Sequence, residues 1–271
     1  MYEIEKNNFV KLIMKSKKYQ AICPDTVLDI INQEIQNHGN FKKAVPFAKE
    51  RLHRLWAEFL GVPNYKKLSS ELDSAFKLNN EHLVSDICLE VLKTHASTNE
   101  RINIMTEEGY YQKIFDITGV PAKIADFACA LNPFSFKWMS LDNNIEYFAY
   151  DINKDFIDFI SFYFQLEGIS INHIHWQDIY VNTPTEVFDI VFLFKMYHCL
   201  EHRKRGSALD LLNRIQAKWI AVSFPSQNLQ GKKQDIYGNY SEKIVQLCTE
   251  KGWSLHKLTF SNEVLILIHK Q

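Results

Sequence analysis

Glycine is scarce in this chain, nine residues in 271, and no G-x-G-x-x-G string occurs. Ala128, Ala130 and Leu131 stand where a dinucleotide-binding turn would need glycine, so that fingerprint is missing. The five cysteines, Cys23, Cys88, Cys129, Cys199 and Cys248, are scattered and form no CxxC pair. That excludes a zinc-ribbon or disulfide framework, leaves no metal site to expect, and fits a reducing cytosol. No window approaches 18 uninterrupted apolar residues, and MYEIEKNNF lacks the apolar core of a signal peptide, so a cytoplasmic protein without a membrane anchor is expected. No polybasic tail is present and the net charge is −1. What the chain does have is 46% hydrophobic and 13% aromatic residues, enough to bury a core and to exclude disorder. Its charge is uneven: residues 1–67 carry a balance of +5 and the remainder −6. A polyanion would therefore be met by the front.

Residues 123–151 organise the rest. They read as a strand (Ile124–Ala128), a turn of small residues (Cys129–Asn132), a helix begun at Pro133 and a second strand ending at Asp151. Asp151 follows Asp126 by 25 residues, close to the spacing at which an acid accepts both hydroxyls of a ribose. Taken alone, the segment fits a nucleoside-type cofactor and a purely structural βαβ unit equally well.

Upstream, helical periodicity covers 7–20, 24–39 and 41–60, the first and third with a basic face, and 68–92 adds two more. Pro46 is expected in the first turn of its helix, with Phe59 in the apolar stripe and Gly61 as the stop. From Ile124 onward strands alternate with helices, and the last two strands are joined by Ser261-Asn262-Glu263 alone, which makes a hairpin. The expected fold is α/β: a seven-stranded doubly wound S-adenosylmethionine-dependent methyltransferase (Rossmann-like) sheet preceded by an all-α N-terminal module. The expected division is 1–92, a helical docking module, and 93–271, the methyltransferase domain.

Asp178, after the third strand, falls where such a fold meets the adenine. The fourth strand continues into Phe194-Lys195-Met196-Tyr197, not the [Asp/Asn]-Pro-Pro-[Tyr/Phe] of enzymes that methylate exocyclic amines. Asn132-Pro133-Phe134 imitates that motif after the wrong strand. Neither Cys129 nor Cys199 follows the proline that cytosine C5 chemistry needs. A nucleophile that needs no deprotonation remains, and guanine N7 is one. Glu201 could then stabilise the developing cation, with Lys195 holding a phosphate.

Several strings are family-specific: SKKYQAICPDTV (16–27), KERLHRLW (49–56), HASTNERI (95–102), DFACALNPF (126–134), FKMYHCLE (194–201) and AVSFPSQNLQGKK (221–233). With them the chain resembles, nearly end to end, the aminoglycoside-resistance 16S rRNA (guanine-N7)-methyltransferases, which act on the decoding site of the assembled 30S subunit. The resemblance implies S-adenosyl-L-methionine as cofactor and 16S rRNA in the 30S subunit as partner, with a monomer expected. It assigns His95, Ala96, Ser97, Arg101, Ala128, Asp151, Asp178, Ile179 and Phe194 to the cofactor, with Arg101 on the methionine carboxylate. Lys195, Glu201 and Arg203 fall near the target, and Lys17, Lys18, Lys49, Arg51 and Arg54 face rRNA. The chain departs from the family at Ala130 (usually Gly), Tyr197-His198 (Leu-Pro), Gln227 (Arg) and Gln230 (Gly). An added methyl at Ala130 weakens cofactor binding if φ is positive there. Two other readings stay open: a methyltransferase of the same fold with another RNA or small-molecule target, and a weakly active or inactive rRNA-binding relative.

Overall fold

A computed structural model describes residues 2–57, 63–226 and 236–270; Phe59, Gly61, Gln227 and Gln230 lie outside them. The sheet has seven strands: β1 (Lys123–Phe127), β2 (Glu146–Asp151), β3 (Ile174–Trp176), β4 (Phe188–Phe194), β5 (Ala217–Pro225), β6 (Ser254–Thr259) and β7 (Glu263–His269). Their order is β3-β2-β1-β4-β5-β7-β6. The pairs through β5 are parallel, while β7 runs antiparallel to both β5 and β6.

Period-two alternation explains the two covered faces. On β4, Ile190, Phe192 and Phe194 join one apolar cluster, and Val191 and Leu193 join the other. The first face is covered by α4 (Tyr65–Lys77), α5 (Glu81–Lys93), α6 (Ala96–Glu107), α7 (Tyr110–Thr118) and α8 (Lys154–Glu167). The second is covered by α9 (Tyr197–Arg203), α10 (Ser207–Arg214) and α11 (Ile236–Lys251). The helices before residue 92 do not share one core. Those of α1 (Glu3–Met14), α2 (Pro24–His38) and α3 (Phe41–Ala57) pack on each other through Phe9, Ile30 and Leu52, whereas Leu72 and Val91 belong to the sheet's first face.

The elements differ from their sequence patterns where glycine intervenes. Helical periodicity runs through 103–116 and through 200–216 in the sequence, but the first breaks at Gly109 (φ +65°) into α6 and α7, and the second at Gly206 (φ +86°) into α9 and α10. Only glycine adopts that backbone without strain. The stretch after Pro133 is a 3₁₀ helix, Asn132–Trp138. Pro46 sits in the second turn of α3, not the first, where it removes the bond to the Lys42 carbonyl.

The N-terminal helices are joined to the sheet by backbone. Ile22 bridges Asn153, the Cys23 N–H donates to the Ile152 carbonyl at 2.8 Å, and the Lys154 N–H donates to the Ala21 carbonyl at 2.8 Å. This places the start of α2 over the carboxyl end of β2.

Candidate active site

In an open α/β sheet the loops beyond the strands' carboxyl ends form the ligand crevice. Four of them meet here. The turn after β1 puts Ala128 (φ +53°) and Ala130 (φ +46°) in the left-handed region, which costs about 1–2 kcal/mol for each non-glycine residue. The positive φ that makes Ala130 unfavourable is therefore present. It is held by the Ala130 N–H, which donates to Asp151 Oδ2 at 2.8 Å. Asp151 also accepts from the Asn153 N–H at 2.8 Å, and burial raises its pKa to about 6, against the pull of those amides.

Arg101 is the centre of the site. It is 2% exposed and lies over the Phe194 ring, 4.3 Å from its centroid. Nη1 donates to Asn132 Oδ1 at 3.0 Å and Nε to Glu263 Oε1 at 3.4 Å. Nη2 has no partner among the described residues although it is buried. A buried unpaired guanidinium N–H is costly, and a carboxylate satisfies it best. The residues present thus fit the methionine carboxylate of S-adenosylmethionine. Nearby His95, the N-cap of α6, has a buried Nδ1 that also lacks a partner. Burial, then Arg101 and Lys195, lower its pKa to about 4, so it is neutral at physiological pH.

Asn132, the look-alike of a catalytic motif, is instead a relay: its Nδ2 donates to Asp126 Oδ2 at 2.8 Å, where the Tyr147 hydroxyl also donates at 2.8 Å. Burial raises the Asp126 carboxyl to about 7, so its negative charge disfavours the folded state once ionised. The destabilisation begins as pH passes the unfolded value near 4 and is complete above about 7. Asp126→Asn is expected to stabilise the ligand-free protein by about 1–3 kcal/mol at pH 8 and not at pH 4. Urea titrations at the two pH values check this; a gain independent of pH would mean that the carboxyl is not buried as an acid.

Glu263, at the start of β7, follows a turn in the sequence and carries no mark there of a site residue. It is fully buried and accepts from the Tyr110 hydroxyl at 2.6 Å; its Oε2 lies 3.3 Å from Lys195 Nζ as an ion pair without hydrogen-bond geometry. Burial alone would raise its pKa, but Arg101 and Lys195 outweigh burial and lower it. Lys195 itself has φ +56° and donates to Glu100 Oε2 at 2.6 Å and to the Ser97 carbonyl at 3.5 Å. Phe194 stacks on Phe192, 4.8 Å between centroids. Ala96 opens α6, and Ile179 is buried beneath the sheet's second face.

Three residues assigned to target or RNA have other partners. Glu201 accepts from the Gly206 and Ala208 amides at 3.1 Å and so caps α10. Arg203 is ion-paired with Asp29 and Asp178. Arg51 turns inward to Glu34 at 2.6 Å and to the Arg203 carbonyl at 3.0 Å. A sequence window cannot reveal such partners, which lie up to 174 positions away. Lys17, Lys18, Lys49 and Arg54 are exposed, with Lys18 Nζ 2.7 Å from His53 Nδ1 joining the turn after α1 to α3. A shallow cavity of about 520 Å³ bordered by Asn143, Gly168 and Asn172 lies at the opposite end of β2 and holds none of these groups.

Residues 15–268 match the family model of ribosomal RNA methyltransferases (FmrO). The chain belongs to this family. It is 30% identical over 261 residues to the 16S rRNA (guanine(1405)-N(7))-methyltransferase of Micromonospora rosea, covering 95% of this chain and 94% of that one. To the enzyme of that description from Proteus mirabilis it is 27% identical, covering 95% of each. Among solved structures, the rRNA methylase from Escherichia coli superposes with a TM-score of 0.76 at 27% identity, over 98% of this chain and 100% of that one. The 16S rRNA methyltransferase RmtF in complex with S-adenosyl-L-homocysteine shares the fold, TM-score 0.79 at 22% identity, over 98% of each chain.

Proposed function

We propose that this chain transfers a methyl group from S-adenosylmethionine to N7 of a guanine in the decoding A site of 16S rRNA, on the assembled 30S subunit and as a monomer, giving aminoglycoside resistance. The observation that carries the reading is the extent of the match: it covers 95% of this chain and 94% of the Micromonospora rosea enzyme, helical front included. A relative that shared only the fold and the cofactor would not need to share that front. No helix among the described residues is long and apolar enough to cross a membrane. When bound, the cofactor supplies an electrophilic methyl group. Arg101 holds its carboxylate, Asp151 the ribose and Asp178 the adenine, while Lys195 positions the target. Glu201 and Arg203 act from behind these groups, as a helix cap and an ion-pair bridge.

The test is to incubate 30S subunits with the protein and S-adenosylmethionine, then map 7-methylguanine by mass spectrometry and primer extension. One modified guanine in the decoding site is expected, with survival of expressing bacteria on gentamicin and kanamycin. Modification elsewhere, or none, overturns the reading.

The residues up to 92 are proposed as the docking module, with α1–α3 as the part that meets rRNA. Replacing Lys17, Lys18, Lys49 and Arg54 by Ala is expected to lower the slope of log affinity against log salt by about one unit per lost phosphate contact. Arg51→Ala should leave that slope unchanged and destabilise the fold, since Arg51 neutralises Glu34, a buried acid. Filter binding of 30S subunits across a salt series reads both; an unchanged slope in the quadruple variant would make these charges an ordinary solvated face.

A further inference from the structure

The cofactor residues above all lie beyond residue 90, yet the adenine-side acid is gripped from the N-terminal helices. Asp178 Oδ2 accepts from the Thr26 hydroxyl at 2.7 Å and from Arg203 Nη1 at 2.7 Å. Thr26 is in the first turn of α2 and is 1% exposed. One helical turn on, Asp29 Oδ2 accepts from Arg203 Nε at 3.0 Å and Nη2 at 2.5 Å, and from Gln33 Nε2 at 2.8 Å. Arg51 on α3 then donates to Gln33 and to the Arg203 carbonyl. The backbone bridge at Ile22 and Asn153 fixes where α2 begins.

The two oxygens of Asp178 are therefore unlike. Oδ2 takes both strong donors, one of them cationic. Oδ1 holds the Tyr180 amide at 3.0 Å and the Val181 amide at a long 3.3 Å. An aspartate is soft about its terminal torsion, and two short bonds on one oxygen remove that freedom.

We propose that Thr26 and Asp29 are cofactor-positioning residues, Thr26 directly and Asp29 through Arg203, which lock the Asp178 carboxylate so that Oδ1, beside its two backbone amides, also accepts the exocyclic amine of the adenine. The inference rests on the reading of Asp178 as the adenine acceptor. It makes the docking module part of the cofactor site, not an appendage to it.

The experiment is calorimetric titration of the full chain with S-adenosylhomocysteine and with S-inosylhomocysteine, whose ring has a carbonyl in place of the amine. Wild type should prefer the adenosyl ligand. Thr26→Val and Asp29→Asn should each weaken that ligand about 3- to 10-fold and leave the inosyl ligand unchanged, while Thr26→Ser binds like wild type. In an Asp178→Asn background, Thr26→Val should have no further effect. Thermal melts verify folding, and either variant suffices if the other does not fold. Equal losses on both ligands, or no loss, overturn the proposal. Asp178→Asn tells the two failures apart. If it abolishes the preference while Thr26→Val and Asp29→Asn keep it, only the positioning role falls. If it keeps the preference, the adenine assignment falls and the positioning role with it.

Discussion

Arg101→Met is expected to reduce affinity for S-adenosylhomocysteine on the order of 100-fold and to destabilise the fold by about 3–5 kcal/mol at neutral pH. The two losses have different origins. The first is the loss of Nη2, the buried N–H that no described residue accepts. The second comes from Glu263, fully buried, which loses the cation 3.4 Å from its Oε1. Lys195 and Tyr110 remain beside Glu263, but Lys195 is shared with Glu100. Arg101 and Lys195 hold the Glu263 carboxyl below its ordinary value, so their stabilisation is present above about pH 4.5 and is lost only as pH falls through the lowered value. Without Arg101 the acid can take up a proton in mild acid, so the stability deficit should be larger at pH 8 than at pH 5. Adding Glu263→Gln to Arg101→Met should recover much of the stability at pH 8 and none of the affinity. Thermal unfolding and calorimetry on the two variants decide it. Affinity that returns with Glu263→Gln would show that Arg101 acts through packing and not through its free N–H.

Arg101 stood in a family-specific string, and Asp126, Asp151 and Asp178 announced themselves by closing successive strands. The seven strands, their alternation with helices and the terminal hairpin follow from period and punctuation, because burying a sheet on both faces leaves a continuous apolar signal. Glu263 follows Ser261-Asn262, so locally it reads as turn chemistry. Only the pairing of β7 with β5 carries it into the core. Arg51 and Arg203 present the converse case. Each lies on a short polar helical face that reads as solvated, and each is covered by a distant segment, 152 residues away for Arg51 and 174 for Arg203. Long-range pairing of charges leaves no periodic trace. Glycine did leave one: Gly109 and Gly206 mark breaks that the hydrophobic pattern ran through.

Lys195→Asn is expected to slow single-turnover methylation of 30S subunits about 100-fold, and the rates of wild type and variant should both be flat from pH 6.5 to 8.5. Asparagine is chosen because it tolerates the left-handed backbone, φ +56°, that Lys195 adopts. Guanine N7 attacks with an in-plane lone pair, so no proton leaves it and no general base is needed. What the site must supply is orientation and charge, and Lys195, partly buried between Glu100 and Glu263 just after β4, is held rigidly enough for both. The candidate for a contrary result is His198. Its Nδ1 lies 3.0 Å from the Tyr240 hydroxyl and its ring centroid 4.0 Å from that of His202. Burial, and then His202, lower its pKa below the ordinary value, which favours the neutral form, chemically able to accept a proton. If it did so, the wild-type rate would climb tenfold per pH unit below that pKa and level off above it, and His198→Ala would remove the slope. The measurement therefore extends to pH 5 for wild type and His198→Ala. A slope confined to the wild type would replace the lone-pair mechanism with one that removes a proton, and an exocyclic amine would become the target. Glu201→Gln serves as the control for position: as the cap of α10 it should cost about 1 kcal/mol of stability and leave the pH profile unaltered.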